Sequence, residues 1–156
     1  MESKEVGKQK EMLTCLTKYL LDFMFYSGIA VTLTLPVSLK FVGKYLERVA
    51  DHYWEAVIIY FILGIAAVSL IGELRKMFDT VLNHNCFVTG NVKSLRKMGN
   101  WSFFIAGMSV VRICVYVTLA MAVVILVFVI AGLFSKVLAL VFEEAVAFKE
   151  ENDLTI

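Results

Sequence analysis

The sequence predicts an all-α integral membrane protein: an antiparallel bundle of four transmembrane helices with both termini in the cytoplasm. Three observations predict it. Residues 101–148 carry only four charges, Arg112, Lys136, Glu143 and Glu144. As one helix that segment would reach about 70 Å, more than twice a hydrocarbon core of about 30 Å, so it is expected to cross twice. Hydrophobic residues make up 60 % of the chain, against roughly 45–50 % in a soluble domain. Finally, residues 1–18, residues 75–100 and the tail together hold ten lysines and arginines. The opposite side holds three, Lys40, Lys44 and Arg48, with none in the second hairpin turn. An excess of that size places the termini and the middle loop on the cytoplasmic side.

The chain length of 156 residues allows one membrane domain and no separate soluble one. Residues 1–18 are polar and mixed in charge, unlike a cleavable signal peptide, so the first span is expected to serve as the insertion signal. That span is placed at 19–42. Pro36 inside it removes the hydrogen bond to the Thr32 carbonyl and predicts a kink, with the hydroxyls of Thr32 and Thr34 nearby to compensate. The second span is placed at 53–74, with His52, Tyr53 and Trp54 as interfacial anchors. Its helix is expected to continue past Leu74 through Phe78, Val81 and Leu82.

Within residues 75–100, Thr89 is positioned to cap a short amphipathic helix with Val92, Leu95 and Met98 on one face and Lys93, Arg96 and Lys97 on others. Such a helix is expected to lie on anionic membrane lipid or to offer a groove to a soluble partner. The third and fourth spans are placed at 101–119 and 124–147, with the turn set near Thr118–Val124 by length alone. Ala131, Ser135 and Ala139 on the last span, and Gly64 and Gly72 on the second, form stripes of small residues that let helix backbones approach. Internal packing is their expected use, and a homo-oligomer the alternative.

Candidate chemistry is sparse. Arg112 falls near mid-depth if the third span starts at Trp101, where a charge is costly and marks a site or a buried pair. Asp22 and Glu143 are its candidate partners; a structural pair or a snorkelling side chain is favoured over a ligand-sensing role. His84 and Cys86 sit two residues apart, short of the three or four ligands of a metal site. The three cysteines, Cys15, Cys86 and Cys114, show no paired spacing. No phosphate loop, HExxH or nucleophile constellation is present, so neither an enzymatic role nor a cofactor is expected. Direct nucleic-acid binding is not expected either, because the basic residues are few and lie beside the membrane.

Two segments carry a resemblance. The ending Phe148-Lys149-Glu150-Glu151-Asn152-Asp153-Leu154-Thr155-Ile156 and the loop Cys86-Phe87-Val88-Thr89-Gly90-Asn91-Val92-Lys93-Ser94-Leu95-Arg96-Lys97 are similar to those of a bacterial four-span family, domain of unknown function 2975. The sequence departs from the family at Cys86, where proline usually stands. The resemblance implies a bacterial cytoplasmic membrane location. It also implies a gene neighbour encoding a small helix-turn-helix regulator of the Cro/repressor type.

The expected function is therefore non-enzymatic and regulatory: binding a small cytosolic DNA-binding regulator and restraining it at the membrane. Phe87, Asn91, Leu95, Arg96, Glu150, Glu151, Asn152, Asp153 and Leu154 would form the partner surface. The alternative is a small transporter, channel or peptide/toxin immunity protein using intramembrane Arg112.

Overall fold

A computed structural model describes residues 2–43, 53–82, 86–115 and 119–153. Four helices account for them: α1 (Glu2–Gly43), α2 (Tyr53–Leu82), α3 (Thr89–Val115) and α4 (Leu119–Asp153). Among the described residues only Cys86, Phe87 and Val88 are not helical. The polar loop expected between the first two spans, with Lys44, Arg48 and His52, lies outside the described residues. So do His84, Thr118 and the last three residues of the tail.

Among the described residues three helical segments are long and apolar enough to cross a membrane: Met12–Phe41, Tyr53–Leu82 and Leu119–Asn152. The distribution of residue sizes explains why they suit lipid rather than water. The buried positions are mostly small or polar, including Ala56, Ala66, Ala106, Ala139, Ser94, Ser102, Ser109 and Ser135. Leu16, Phe23, Leu126, Ile130, Phe134 and Val141 instead face outward. A soluble domain buries its large apolar side chains. Between lipid-solvated helices that drive is missing, and association depends on close backbone packing. The described part of α3 falls short of a span, because its first half carries Lys93, Arg96 and Lys97.

Packing is sequential. α1 meets α2, α2 meets α3 and α3 meets α4; no α1–α4 contact occurs among the described residues. Along the α1–α2 seam, Tyr53 donates its hydroxyl to the Pro36 carbonyl at 2.8 Å. A Cβ at Gly64 would stand 2.7 Å from Thr32 Oγ1, and one at Gly72 3.3 Å from the Phe25 ring. Asp22 and Lys18 follow, paired with Arg75 and Asp79. On the α3–α4 seam a Cβ at Gly132 would lie 3.1 Å from Phe103, and Ser135 and Ala139 are buried. Both small-residue stripes therefore serve contacts within the chain.

Two expectations are corrected. The segment opened by Thr89 is not a separate helix lying on the membrane: it runs without a break into α3. Its apolar face, Val92, Leu95 and Met98, is buried against the other helices, which removes that face from lipid. The turn near Thr118–Val124 is also displaced, since Leu119–Val124 already belong to α4. No proline or glycine marks the site, so length was a poor guide to it. At Pro36 the helix continues. Thr32 and Thr34 donate to the carbonyls of Gly28 and Ala30 at 2.7 and 2.9 Å, one turn before the break they were expected to fill.

Candidate functional site

Polar side chains gather at one end of the helices. There Lys18 Nζ lies 2.6 Å from Asp79 Oδ1, and Arg75 Nε lies 2.5 Å from Asp22 Oδ1. The Arg75 guanidinium also covers the rings of Phe25 and Tyr26, at 4.7 and 5.5 Å from their centroids. Glu73 occupies the α2–α3 seam and is buried. Its Oε2 accepts from the Ser94 hydroxyl at 2.8 Å. Its Oε1 meets Lys76 Nζ at 2.9 Å and Lys97 Nζ at 3.6 Å. On the α3–α4 seam Arg96 pairs with Glu143 at 2.6 Å, and Lys136 donates to Asn100 Oδ1 at 2.6 Å. Every pair of neighbouring helices is thus joined by charged or polar side chains at this end.

Asn91 knots the α2–α3 connection. Only 2 % exposed, its side-chain amide donates to Thr80 Oγ1 and to the Cys86 carbonyl, each at 2.7 Å. Thr80 in turn donates to the Met77 carbonyl at 2.7 Å, and the Asn91 backbone N–H closes on the Val88 carbonyl at 2.9 Å. Asn91→Leu leaves the Cys86 carbonyl without this donor inside a packed seam, at a cost of about 2 kcal/mol. The thermal midpoint in detergent should fall accordingly. Asn91→Asp, which retains an acceptor but cannot donate to the carbonyl, should behave similarly.

The residues expected to form a partner surface separate into two groups. Asn91 and Leu95 are buried within the helices and hold the fold. Phe87 is 47 % exposed and leans on Phe142 of α4, ring centroids 5.4 Å apart. Arg96 is half exposed beside Glu143. Beyond Val146, the last buried residue of α4, the helix continues through Asp153. Phe148 there is 67 % exposed, and Glu150, Glu151 and Asn152 are exposed as well. The Asp153 side chain and Leu154 lie outside the described part.

The opposite end of the helices holds Arg112, and two expectations about it fail. Arg112 is not at mid-helix but in the last turn of α3, because that helix stops at Val115 rather than near residue 119. A cation there opposes the partial negative charge of the helix C-terminus. Nor does it pair with Asp22 or Glu143, which are engaged by Arg75 and Arg96 at the other end. Its guanidinium lies instead over the Tyr60 ring, 4.6 Å from the centroid, an attractive cation–π arrangement. Arg112 lines a cavity of about 610 Å³ to which all four helices contribute, among them Leu39, Tyr60, Ser109 and Phe128. Ser109 is 1 % exposed, and its Oγ makes no hydrogen bond.

A family model described as "Protein of unknown function (DUF2975)" matches residues 40–156, three quarters of the chain. The chain belongs to the DUF2975 family. No curated protein and no solved structure matches it. The DUF2975 match takes in α2, α3 and α4 whole and only the last residues of α1. Glu73, Thr80, Asn91, Ser94, Arg96, Arg112 and Glu143 all lie within it, whereas Lys18 and Asp22 lie outside.

No sequence pattern joins Glu73 to Ser94. The one local signal in this DUF2975 chain is Glu73 three residues before Lys76, which puts both on one helix face. Ser94 is 21 residues away along the chain from the carboxylate it meets, and no spacing rule connects them. Among the described residues no cluster of His, Cys, Asp and Glu could hold a metal ion.

Proposed function

We propose that this protein is a non-enzymatic regulatory component of the bacterial cytoplasmic membrane that binds a small cytosolic helix-turn-helix regulator and restrains it there. The proposal includes an antiparallel four-span arrangement with both termini in the cytoplasm. Residues 53, 64, 68, 72, 75 and 79 of α2 meet residues 36, 32, 28, 25, 22 and 18 of α1, an order that supports opposite helix directions. The charge excess, Lys18, Arg75, Lys76, Arg96 and Lys97 among it, lies at the end where the seams are ion-paired. That supports a cytoplasmic assignment for this end.

The observation that carries the functional reading is the overhang of α4. Its 35 residues extend about 52 Å, well beyond a hydrocarbon core of about 30 Å. The part past Val146 presents an exposed phenylalanine beside acidic side chains. Such an arm suits a soluble basic partner: Glu150, Glu151 and Asp153 would meet lysines and arginines that otherwise contact DNA phosphates. Phe148 and Phe87 would supply apolar anchors, and Arg96 a polar rim. A transport role would rest on a charge at mid-membrane, which the place of Arg112 in the last turn of α3 does not favour.

The test is co-purification with the small regulator encoded beside the gene, comparing the full chain with a version ending at Phe148. Truncation should lower the recovered regulator at least about tenfold, the equivalent of one lost charge-assisted cluster, and should release target-gene control. Unchanged recovery and unchanged expression would sink the proposal.

A further inference from the structure

A second cavity opens at the ion-paired end. α1 and α3 both pack on α2 but do not meet each other among the described residues. The groove between them encloses about 800 Å³, within the roughly 300–1,000 Å³ typical of ligand pockets. Ser69 and Gly72 of α2 form its floor, and Phe25 of α1 and Phe104 of α3 flank it.

The groove is cationic at one end and apolar at the other. Lys76 and Lys97 share its mouth, because both approach the same Glu73 oxygen, at 2.9 and 3.6 Å. Val68 and Phe104 lie about two turns from those lysines along α2 and α3 and line the remainder. That is a run of about 10–12 Å. A bilayer of about 40–45 Å around a core of about 30 Å leaves a headgroup layer of roughly 5–8 Å on each side. A groove of this length therefore reaches from headgroup level to the first methylenes. Trp101, one turn from Lys97, lines it between the two ends, at the boundary where tryptophan is enriched.

Charge at the mouth supplies the second, independent observation. Glu73 offsets one of the two ammonium groups, and Lys76 is the one that hydrogen-bonds to it. At 3.6 Å Lys97 makes no hydrogen bond to the carboxylate. Its side chain is exposed, and an ammonium has three N–H donors to offer. The mouth thus keeps one positive charge on an accessible side chain.

We propose that this groove seats one anionic phospholipid of the adjoining leaflet. Its headgroup phosphate sits at Lys97 and Lys76, and the start of one acyl chain runs along Gly72 between the Phe25 and Phe104 rings. A soluble anion would leave the aromatic walls unused. A choline headgroup would bring a second positive charge to a mouth that already holds one, whereas a glycerol headgroup adds none.

Native mass spectrometry of the full chain in detergent tests this, with phosphatidylglycerol or phosphatidylcholine of identical acyl chains added. The wild type should retain one phosphatidylglycerol per chain with a preference of about tenfold over phosphatidylcholine, the scale of one charge-assisted contact. Lys97→Gln should reduce that preference to within about twofold, and Lys97→Arg, which keeps the charge, should retain it. Lys93→Gln removes an exposed charge of the same helix that does not line the groove, and should leave the preference unchanged. Ser69→Phe, which fills the floor, should weaken both lipids alike. Equal retention of the two lipids by the wild type overturns the proposal without reference to any variant. So does an equal loss of preference in Lys93→Gln and Lys97→Gln, which would assign it to diffuse charge. Displacement of phosphatidylglycerol by equimolar inorganic phosphate also overturns it, by identifying a free anion as the occupant.

Discussion

Gly64→Ala should destabilise the protein by about 2 kcal/mol, the cost of overpacking a tight contact, and Thr32→Ala in the same chain should restore most of that loss. The added methyl would stand 2.7 Å from Thr32 Oγ1 and 2.9 Å from its Cγ2. Both atoms belong to a short, branched and buried side chain on α1, so no flexible end can swing aside. Alanine is the better helix former by about 1 kcal/mol, yet overpacking costs about 1–3 kcal/mol, and at this separation the clash wins.

Thr32→Ala removes both clashing atoms and leaves only Cβ, at 3.3 Å, while giving up a bond to its own helix at Gly28. Midpoints of detergent-induced unfolding for the wild type, the two single variants and the double variant form a cycle whose coupling should be favourable by 1 kcal/mol or more, on the order expected for touching residues. Additive effects would show that α1 and α2 do not meet at this point.

Glu73→Leu should cost about 2 kcal/mol, chiefly by leaving the Ser94 hydroxyl buried without an acceptor. Ser94 is itself nearly inaccessible, and its bond to Glu73 Oε2 is 2.8 Å. Glu73→Gln retains that acceptor and should cost only about 1 kcal/mol, the difference between a charged and a neutral hydrogen bond. The lysines contribute less. The Lys76 and Lys97 side chains are 66 % and 61 % exposed, so water takes the place of the carboxylate, and Lys76→Ala should cost below about 1 kcal/mol. Unfolding midpoints should therefore rank Glu73→Leu lowest, then Glu73→Gln, then Lys76→Ala. A Lys76→Ala variant as unstable as Glu73→Leu would mean that Coulomb attraction, not the Ser94 bond, holds the seam.

These two positions show where local sequence information stops. Gly64 was legible as part of a small-residue stripe, because a lipid-facing helix has few other reasons to carry Gly64 and Gly72 two turns apart. Its partner, Thr32, depends on the rotation of α1, which an apolar exterior of near-uniform residues does not encode. Glu73 was legible only as an acid near Lys76. Its burial follows from α3 packing alongside, and the Ser94 contact joins residues on different helices.

The ends of the chain followed the same division. The start of α2 at Tyr53 and its continuation to Leu82 matched expectation, because aromatic anchors and an uninterrupted helical pattern are local signals. The junction between α3 and α4 has no such signal, and placing it by length puts Arg112 at mid-depth, whereas α3 carries it in its last turn. That single shift also undid the pairing with Asp22 and Glu143, since depth decides which charges can meet.

By itself, then, the sequence determined the all-α class, the long apolar helices and the family. Each depends on composition or on patterns within one helix, and hydropathy and charge report those directly. Only the tertiary structure decided which charges pair, that the amphipathic segment is the buried start of α3, and that Ser109 and Arg112 share a cavity with helices up to 77 residues distant in the chain. Those outcomes depend on helix rotation and depth, which are set by close packing between neighbours rather than by any residue's own preference.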